Sequence, residues 1–498
     1  MNSKPITMAV KIDRHLRHIS NLNIKEVKLM MKKADYQLRA KPYISPIRSG
    51  KKDAKLRRLY GEDQLIWQRK RYTERVERLF AHYGQVLPPN AELRYFSAPG
   101  RTEIIGNHTD HNLGKVLGAG VNLDVIAVVA RVDTPEVRIK SKGHPEIVVR
   151  LDDPYALKPE DDEKGHSQAL LRGILAGFQK RGHKIRNQKG FVAATDSDVP
   201  PGSGLSSSAA FEVLVATIVA KVILNKDIPP TTIAQIAQEA EELFYGKPCG
   251  LLDQTTSAVG GCVAIDFMNP RKPQIKKINM NLSKYGKNGY SLCIVNTGGD
   301  HKDLTDDYAA IRAEMVQVAA EQIRQGFTTP EYIAVKKKGA FDPGVLRYMN
   351  ENSFRKSIPS LHEKGLVGDR AILRAIHFYE ENRRVERLIR AIRAGADGFG
   401  DFLAAIVESG QSSYMYNQNI FPLAHPDKQP VALGLALSEE MLRGCGAWRV
   451  HGGGFAGTIQ AFVPNDKVAR FKSRMNKTFG DNATYVLRIR PFGGVEVF

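Results

Sequence analysis

Long apolar runs, paired cysteines and tryptophan are scarce in this sequence. The chain has four cysteines and two tryptophans among its 498 residues. It has no uninterrupted apolar run near the roughly 20 residues that a membrane-spanning helix needs, so we expect no membrane association. The cysteines at positions 249, 262, 293 and 445 form no CxxC pair and no zinc-binding spacing, which predicts free buried thiols. The N-terminus lacks the apolar core of a secretory signal, which predicts a cytoplasmic protein.

Positive charge is concentrated at one end of the chain. The formal net charge is +20, and residues 1–60 hold 16 Lys and Arg against 4 Asp and Glu, which leaves +8 for the other 438 residues. We interpret residues 1–54 as a flexible basic extension, and an upstream start codon is an alternative because Met30 could begin a protein. The extension has no aromatic interleaving or recognition motif, so we do not expect it to bind nucleic acid. No segment indicates an obligate protein partner.

The remaining chain has a globular pattern and is long enough for two domains. Apolar periodicity predicts helices over 63–84, 167–182, 206–225 and 231–246, and a mostly helical stretch from 303 to about 445. Apolar runs rich in β-branched residues predict strands within 122–133, 146–153, 189–200 and 290–299. The chain then closes with strand, glycine turn, strand, helix and strand. Because strands and helices do not alternate strictly, we predict an α+β fold.

The segment "DVPPGSGLSSSAAFEVLVA" (198–216) carries the strongest local signal. A strand reaches a stiff Pro-Pro turn, Gly202 and Gly204 allow close backbone approach, and three serines then open a helix. Unpaired N–H groups at a helix N-terminus attract phosphate, and a serine hydroxyl can reach a divalent metal. The segment is not a Walker A loop, since the G-K-[ST] ending is absent. A serine-capped helix without a ligand is the alternative interpretation.

A second segment, "GNHTDH" (106–111), places an amide, two imidazoles, a hydroxyl and a carboxylate in six positions. A core segment does not need that density of polar groups, so we predict that it holds a small polar molecule. Farther along, "RVHGGGFAGTIQAFVP" (449–464) places three consecutive glycines between apolar strands, where the backbone must pass close to another group.

Five segments, taken in order, resemble the kinase superfamily named for galactokinase, homoserine kinase, mevalonate kinase and phosphomevalonate kinase, the GHMP kinases. They are "APGRTEIIGNHTDHNLG", "PPGSGLSSSAA", "KPCGLLDQTTSAVGG", "NTGGDHKDLTDDYAAIRAEM" and "HGGGFAGTIQAF". The first is particular to the galactokinase branch, and the resemblance covers about residues 55–498. It implies a two-domain fold with the active site in the inter-domain cleft. We place an N-terminal domain that binds sugar and ATP at 55–285 and a C-terminal domain at 286–498.

The resemblance also implies transfer of the ATP γ-phosphate to the anomeric hydroxyl of galactose, with Mg²⁺ as cofactor and ATP as co-substrate. Asp253 matches the catalytic aspartate and Arg101 the arginine beside it. The implied sugar contacts are Asn107, His108, Asp110, Gly250 and Tyr308. The implied ATP-binding residues are Gly202, Ser203, Gly204, Leu205, Ser206, Ser207, Ser208 and Ala209. Glu241 matches the magnesium-binding glutamate, with Ser207 or Ser208, the latter preferred, as its hydroxyl partner.

These assignments agree with elementary chemistry. A sugar hydroxyl is a poor nucleophile at neutral pH, and a carboxylate within hydrogen-bond reach can take its proton. Magnesium and a guanidinium stabilise the charge that spreads over the transferring phosphoryl group. Arg101 should also keep Asp253 ionised, because a nearby cation lowers the pKa of a carboxyl group. Alternatively, Asp253 is only a helix N-cap and Tyr308 an ordinary helix residue.

One position departs from the galactokinase pattern, which has glutamate where this chain has Asn107 and tyrosine where it has His111. The family glutamate faces the sugar C6 hydroxyl, so an amide there would no longer repel a C6 carboxylate. Galactose is our first choice of substrate. Alternatives are a related kinase for galacturonate, N-acetylgalactosamine or arabinose, and a sugar sensor that binds ATP without catalysis. The intact serine loop and aspartate argue against the sensor.

Overall fold

The computed structural model describes residues 24–247, 249–299, 305–337, 344–455 and 457–498. Within these ranges the strands are β1 (Leu93–Ile105), β2 (Lys115–Arg131), β3 (Glu136–Ser141), β4 (Glu146–Arg150), β5 (Phe191–Ser197), β6 (Cys262–Asp266), β7 (Gln274–Ile278), β8 (Tyr290–Asn296), β9 (Ala447–His451), β10 (Thr458–Pro464), β11 (Thr484–Leu487) and β12 (Val495–Glu496).

The helices of the same ranges are α1 (Ile24–Arg48), α2 (Asp53–Tyr60), α3 (Leu65–Tyr83), α4 (Ser167–Lys180), α5 (Ser207–Ile218), α6 (Pro230–Ala240), α7 (Leu252–Val259), α8 (Thr305–Arg324), α9 (Pro330–Lys337), α10 (Glu351–Glu363), α11 (Asp369–Arg393), α12 (Phe399–Ser412), α13 (Pro430–Leu442) and α14 (Val468–Phe479). Single π turns continue α5, α6 and α12, over Val219–Ile223, Glu241–Tyr245 and Ser413–Asn417. The helices and strands predicted from apolar patterns are confirmed apart from small shifts at their ends, and the fold is α+β as predicted.

The larger sheet has the order β12-β1-β2-β5-β3-β4, and β6 and β7 extend it from β2. The long strand β2 pairs with β6 through Lys115–Ala119 and with β5 through Val125–Arg131. Alternate residues of β2 enter different clusters: Ala127 and Val129 pack on the side of α4–α6, and Ile126 and Val128 pack on the side of α1–α3. Burial on both faces explains why this stretch of sequence is continuously apolar.

The N-terminal extension corrects the sequence analysis. Residues 24–48 form a helix, and its Ala40, Ile44 and Ile47 are buried in the cluster that covers the second face of the larger sheet. Arg39 Nη1 also donates to the Gly84 carbonyl at 2.6 Å. The prediction of a flexible extension is therefore wrong for its described part, because basic residues on the exposed side concealed a narrow apolar face. Residues 1–23 lie outside the described residues.

The second sheet is antiparallel with the order β11-β8-β10-β9, and α13 and α14 cover one of its faces. Helices α8, α10 and α11 form a separate apolar cluster that includes Ile311, Phe354 and Phe378. The two sheets define the two domains, although β12 returns to the first sheet and pairs with β1. Within the described residues no helix is both long and apolar enough to span a membrane. All four cysteines are free thiols; Cys262 and Cys293 are buried as predicted, whereas Cys249 and Cys445 are only partly buried.

Candidate functional site

The serine loop enters α5 through three left-handed residues, Gly202, Gly204 and Ser206, whose φ values are 68°, 68° and 54°. No side chain caps α5, because its serines are engaged elsewhere. Ser203 Oγ donates to the Pro200 carbonyl at 2.6 Å, and Ser206 Oγ donates to Asp253. The serine-capped helix is therefore not what forms, and the first N–H groups of α5 keep the arrangement that suits a phosphate.

Arg101 and Asp253 form a two-bonded ion pair between β1 and the first turn of α7. Arg101 Nε donates to Oδ1 at 2.6 Å and Nη2 to Oδ2 at 2.5 Å. Arg101 Nη1 also donates to the Gly204 carbonyl, and its backbone N–H donates to the Leu205 carbonyl at 2.9 Å. This one guanidinium therefore ties the serine loop to Asp253. The Asp253 side chain keeps 30% of its surface exposed and can meet a ligand.

Asp253 is ionised at neutral pH. Burial alone would raise its pKa, but the Arg101 guanidinium, with the Ser206 hydroxyl and Lys247, outweighs burial and holds the pKa below its usual value. The N-cap of α7 is Leu251, which makes no side-chain capping bond, so Asp253 is not the helix cap that the alternative interpretation assumed. Its position in the first helical turn nevertheless favours the negative charge.

Asp110 and Gly250 lie against each other beside this pair. A Cβ atom at position 250 would stand 2.1 Å from Asp110 Oδ2, so a larger residue there would displace the Asp110 carboxylate. Burial, with the negative charges of Glu103 and Asp253, raises the pKa of Asp110 to about 6. The site therefore contains one carboxyl group whose pKa is raised, Asp110, and one whose pKa is lowered, Asp253. Shifted pKa values of this kind are typical of catalytic and binding centres.

The triple-glycine turn is the partner of the polar segment 106–111. Three consecutive carbonyls, of Gly452, Gly453 and Gly454, accept bonds from Asn107 Nδ2 at 2.7 Å, His108 Nε2 at 2.9 Å and Tyr308 Oη at 3.2 Å. A Cβ at position 453 would come within 2.3 Å of the Tyr308 ring. These glycines therefore let two domains meet around the polar segment. Because a carbonyl only accepts, His108 carries its proton on Nε2 and leaves Nδ1 as an acceptor.

Asn107 is surrounded by protein groups in this structure. Its side chain is fully buried, Nδ2 also donates to Glu103 Oε1 at 3.2 Å, and Oδ1 accepts from Asn419 Nδ2 at 2.9 Å. Glu103 in turn accepts from Arg449 Nη2 at 2.9 Å. The amide is hydrogen-bonded to protein groups on both sides, and its expected contact with a sugar C6 hydroxyl stays a prediction.

Ser208 and Glu241 lie together at the start of α5 and the end of α6. Ser208 Oγ is 3.4 Å from Glu241 Oε1, which also accepts from Lys247 Nζ at 3.0 Å. Gln254 Nε2 donates to Glu241 Oε2 at 2.7 Å and to Glu212 Oε2 at 3.1 Å. Within the described ranges, no group of three or more His, Cys, Asp or Glu side chains could hold a metal ion. A metal here would depend on few protein ligands.

Sequence reasoning missed Glu212, Lys247 and Gln254. Burial and the nearby Glu241 raise the pKa of Glu212 well above its usual value, and its Oε1 has no hydrogen-bond partner among the described residues. Glu212 follows Ser208 by one helical turn, and this spacing is the signal that could have found it. Lys247 and Gln254 lie in a segment from which sequence reasoning took only Asp253 and Gly250.

Two families match parts of the chain. The family described as "Galactokinase galactose-binding signature" matches residues 80–131, and the one described as "GHMP kinases N terminal domain" matches residues 169–261. The galactokinase of Actinobacillus pleuropneumoniae is 28% identical over 379 residues, which cover 75% of this chain and 86% of that protein. The galactokinase of Clostridium beijerinckii is 31% identical over 251 residues, 50% of this chain and 61% of that protein.

Solved structures share the fold. A galactokinase from Lactococcus lactis, crystallised with galactose, matches with a TM-score of 0.67 and 22% identity, covering 84% of this chain and 99% of that one. The mevalonate kinase of Methanococcus jannaschii matches with a TM-score of 0.53 and 13% identity, covering 80% and 99%. At these identities the structures establish the architecture, and the chemistry depends on the residues of the site.

Proposed function

Because the chain belongs to the galactokinase branch of the GHMP kinase superfamily, we propose that it transfers the γ-phosphate of ATP to the anomeric hydroxyl of D-galactose. The observation that carries this proposal is the Arg101–Asp253 pair, which joins the serine loop to a carboxylate that keeps 30% of its side chain exposed. A phosphate on the loop and a hydroxyl beside Asp253 would then lie next to each other, as a phosphotransferase that acts on a sugar hydroxyl requires.

In this proposal Asp253 receives the proton of the attacking hydroxyl. Its lowered pKa makes it a weak base, so it takes the proton late, when bond formation to phosphorus has made the hydroxyl acidic. Arg101 keeps the carboxylate ionised and fixes both oxygens, and its remaining N–H bond to the Gly204 carbonyl keeps the guanidinium beside the phosphate loop. The chain thus contributes mainly position and charge, which is the usual protein contribution to phosphoryl transfer.

We assign the ATP phosphates to the backbone of residues 202–209 and Mg²⁺ to Ser208 and Glu241. Mg²⁺ prefers oxygen ligands, keeps several waters and is commonly held by one or two protein groups plus substrate phosphates. The Ser208 hydroxyl and the Glu241 carboxylate fit that requirement, and the buried Oε1 of Glu212, which has no partner in the described part of the chain, adds a polar group behind them. When bound, the ion neutralises charge on the phosphates. Lys247, which contacts Glu241, supplies positive charge at the same place.

Asp110, with His108, Gly250 and Tyr308 around it, is assigned to the sugar. Galactose remains the first choice, because burial of Asn107 removes the argument for a C6 acid. The same assignment is compatible with N-acetylgalactosamine or arabinose, which differ from galactose away from the anomeric hydroxyl. A cytoplasmic location, expected for an enzyme that consumes ATP, and the division of the chain at residue 285 belong to this proposal.

ATP consumption should be measured across free hexoses, pentoses, N-acetylhexosamines and uronic acids, with phosphorus NMR to identify the phosphorylated position. The expected result is a preference for galactose and a product that carries phosphate on the anomeric oxygen. Consumption with galacturonate alone would support the uronate kinase. Binding of galactose and ATP without consumption would support the sensor.

A further inference from the structure

Helix α11 of the C-terminal half holds the polar segment 106–111 from behind. Glu381 Oε1 accepts from the Gly106 N–H at 3.0 Å and from the Asn107 N–H at 3.4 Å. One helical turn earlier, His377 Nε2 lies 2.9 Å from the Asn107 carbonyl oxygen. Since that oxygen only accepts, the imidazole donates to it. The N–H groups of Gly106 and Asn107 and the carbonyl of Asn107 are thus all bound by two side chains from one face of α11.

The two side chains are themselves fixed. Both are fully buried, and Glu381 accepts from Ser409 Oγ at 2.6 Å and from Arg384 Nε at 2.7 Å. His377 Nδ1 lies 2.9 Å from Ser412 Oγ, which donates to it. Burial alone would raise the pKa of Glu381, but Arg384, with His377 and Arg449, outweighs burial and holds the pKa at about 2. The carboxylate is therefore a permanent negative acceptor for the backbone N–H groups.

The backbone that they hold includes one residue in an unfavourable conformation. Gly106 has φ 108°, and His108, with φ 57°, is left-handed although it is not glycine. Such a conformation persists only where the surroundings impose it. This turn carries His108 and Asp110, and both Glu381 and His377 are fully buried behind it.

We propose that His377 and Glu381 are positioning residues for substrate: they clamp the peptide between Gly106 and His108 so that His108 and Asp110 face the sugar. The clamp makes the sugar pocket depend on the C-terminal half of the chain, whereas the phosphate loop depends on the N-terminal half. The assignment of a sugar to this pocket rests on the proposed function, and the clamp itself does not.

Matched variants can show whether His377 and Glu381 position the sugar-binding residues or only stabilise the fold. His377→Met removes the donor at similar volume, His377→Gln retains a donor amide, and Glu381→Gln removes the charge. Ser357→Ala is the control, because Ser357 makes a buried bond with Gln322 in the same helical layer without touching the polar segment. We expect His377→Met and Glu381→Gln to raise the sugar KM at least about tenfold with the ATP KM within about twofold. His377→Gln should restore most of the sugar affinity.

A readout independent of activity is hydrogen exchange at the Gly106 and Asn107 amides in the unliganded protein. Exchange should accelerate in His377→Met and Glu381→Gln and stay unchanged in Ser357→Ala. Unchanged sugar KM and unchanged exchange in folded His377→Met would overturn the clamp, as would equal rises in both KM values. If Glu381→Gln does not fold, the comparison of His377→Met with His377→Gln is the test of the clamp. If the wild type phosphorylates no sugar, the proposed function fails and the exchange measurement still tests the clamp.

Discussion

Arg101 binds Asp253 through two hydrogen bonds from one edge of its guanidinium: Nε donates to Oδ1 at 2.6 Å and Nη2 donates to Oδ2 at 2.5 Å. The third nitrogen, Nη1, donates to the Gly204 carbonyl. A planar fork of this kind fixes orientation as well as charge, which lysine could not do at this position. Removal of the negative partner should therefore affect chemistry more than binding.

Asp253→Asn should lower kcat by about 10² or more, the usual scale for loss of a general base. The amide retains one acceptor for Arg101, so the KM values for sugar and ATP should change little. Steady-state kinetics with both substrates varied would test this. Near-normal turnover would remove Asp253 from the catalytic role and leave it as an anchor for the serine loop.

Asp110 makes folding depend on pH. Its pKa is raised to about 6, chiefly by burial, so the folded protein holds this proton more tightly than the unfolded chain. The contribution to stability is present at low pH and is lost as pH rises through about 6. Asp110→Asn should therefore stabilise the free protein by on the order of 1–3 kcal/mol at about pH 8 and by less at about pH 5.

Urea titrations of wild type and Asp110→Asn at both pH values measure this difference. A gain that is equal at the two pH values would show that Asp110 titrates normally. The same variant should bind sugar more weakly, because the site loses its acceptor charge.

Glu241→Gln and Ser208→Ala should each raise the Mg²⁺ concentration needed for half-maximal activity and the ATP KM, by about tenfold or more for the glutamate. The sugar KM measured in the same variants is the internal control, because neither residue lies among the groups around Asp110. A rise in sugar KM alone would show that the phosphate site is misplaced. Direct titration of Mg²⁺-dependent nucleotide binding would separate affinity from turnover.

The sequence predicted those features of the fold and the site that depend on residues close together in the chain. The serine loop, with its two glycines and four serines, lies within one short segment, and the apolar run of β2 indicates burial on both faces. The clamp and the surroundings of Asn107 could not be predicted, since Glu381 is 275 residues from Gly106 and Gly452 is 345 residues from Asn107. No periodicity links positions so far apart. The i,i+4 spacing of His377 and Glu381 shows a shared helix face, yet not which loop that face meets.

The N-terminal helix α1 should contribute to stability, contrary to the expectation from its charge. Ile47 is 1% exposed and Leu38, on the same helix, is 67% exposed. Ile47→Ala should lower the free energy of unfolding by about 2–4 kcal/mol, and Leu38→Ala should change it by less than about 0.5 kcal/mol. Deletion of residues 1–54 should destabilise the protein at least as much as Ile47→Ala, and all three proteins should keep wild-type KM values. Equal stability of the two point variants would show that α1 does not pack on the domain in solution.

Asn107 provides the sharpest test of the site, because its buried amide donates to Glu103 and to the Gly452 carbonyl at once. Asn107→Asp keeps the shape but replaces a donor by a second carboxylate beside Glu103, and it leaves the Gly452 carbonyl without its partner. The cost should be on the order of 2–5 kcal/mol of folding free energy. Adding Glu103→Gln should recover part of that loss, since the amide and the carboxylate then exchange positions and Arg449 stays close to one negative charge.

Because the Asn107 side chain is fully buried, the ratio of kcat/KM for galactose and galacturonate should be the same in wild type and both variants. A ratio that changes more than about tenfold in the stable double variant would mean that position 107 reaches the sugar C6 group after all, and the uronate kinase would again be the competing function.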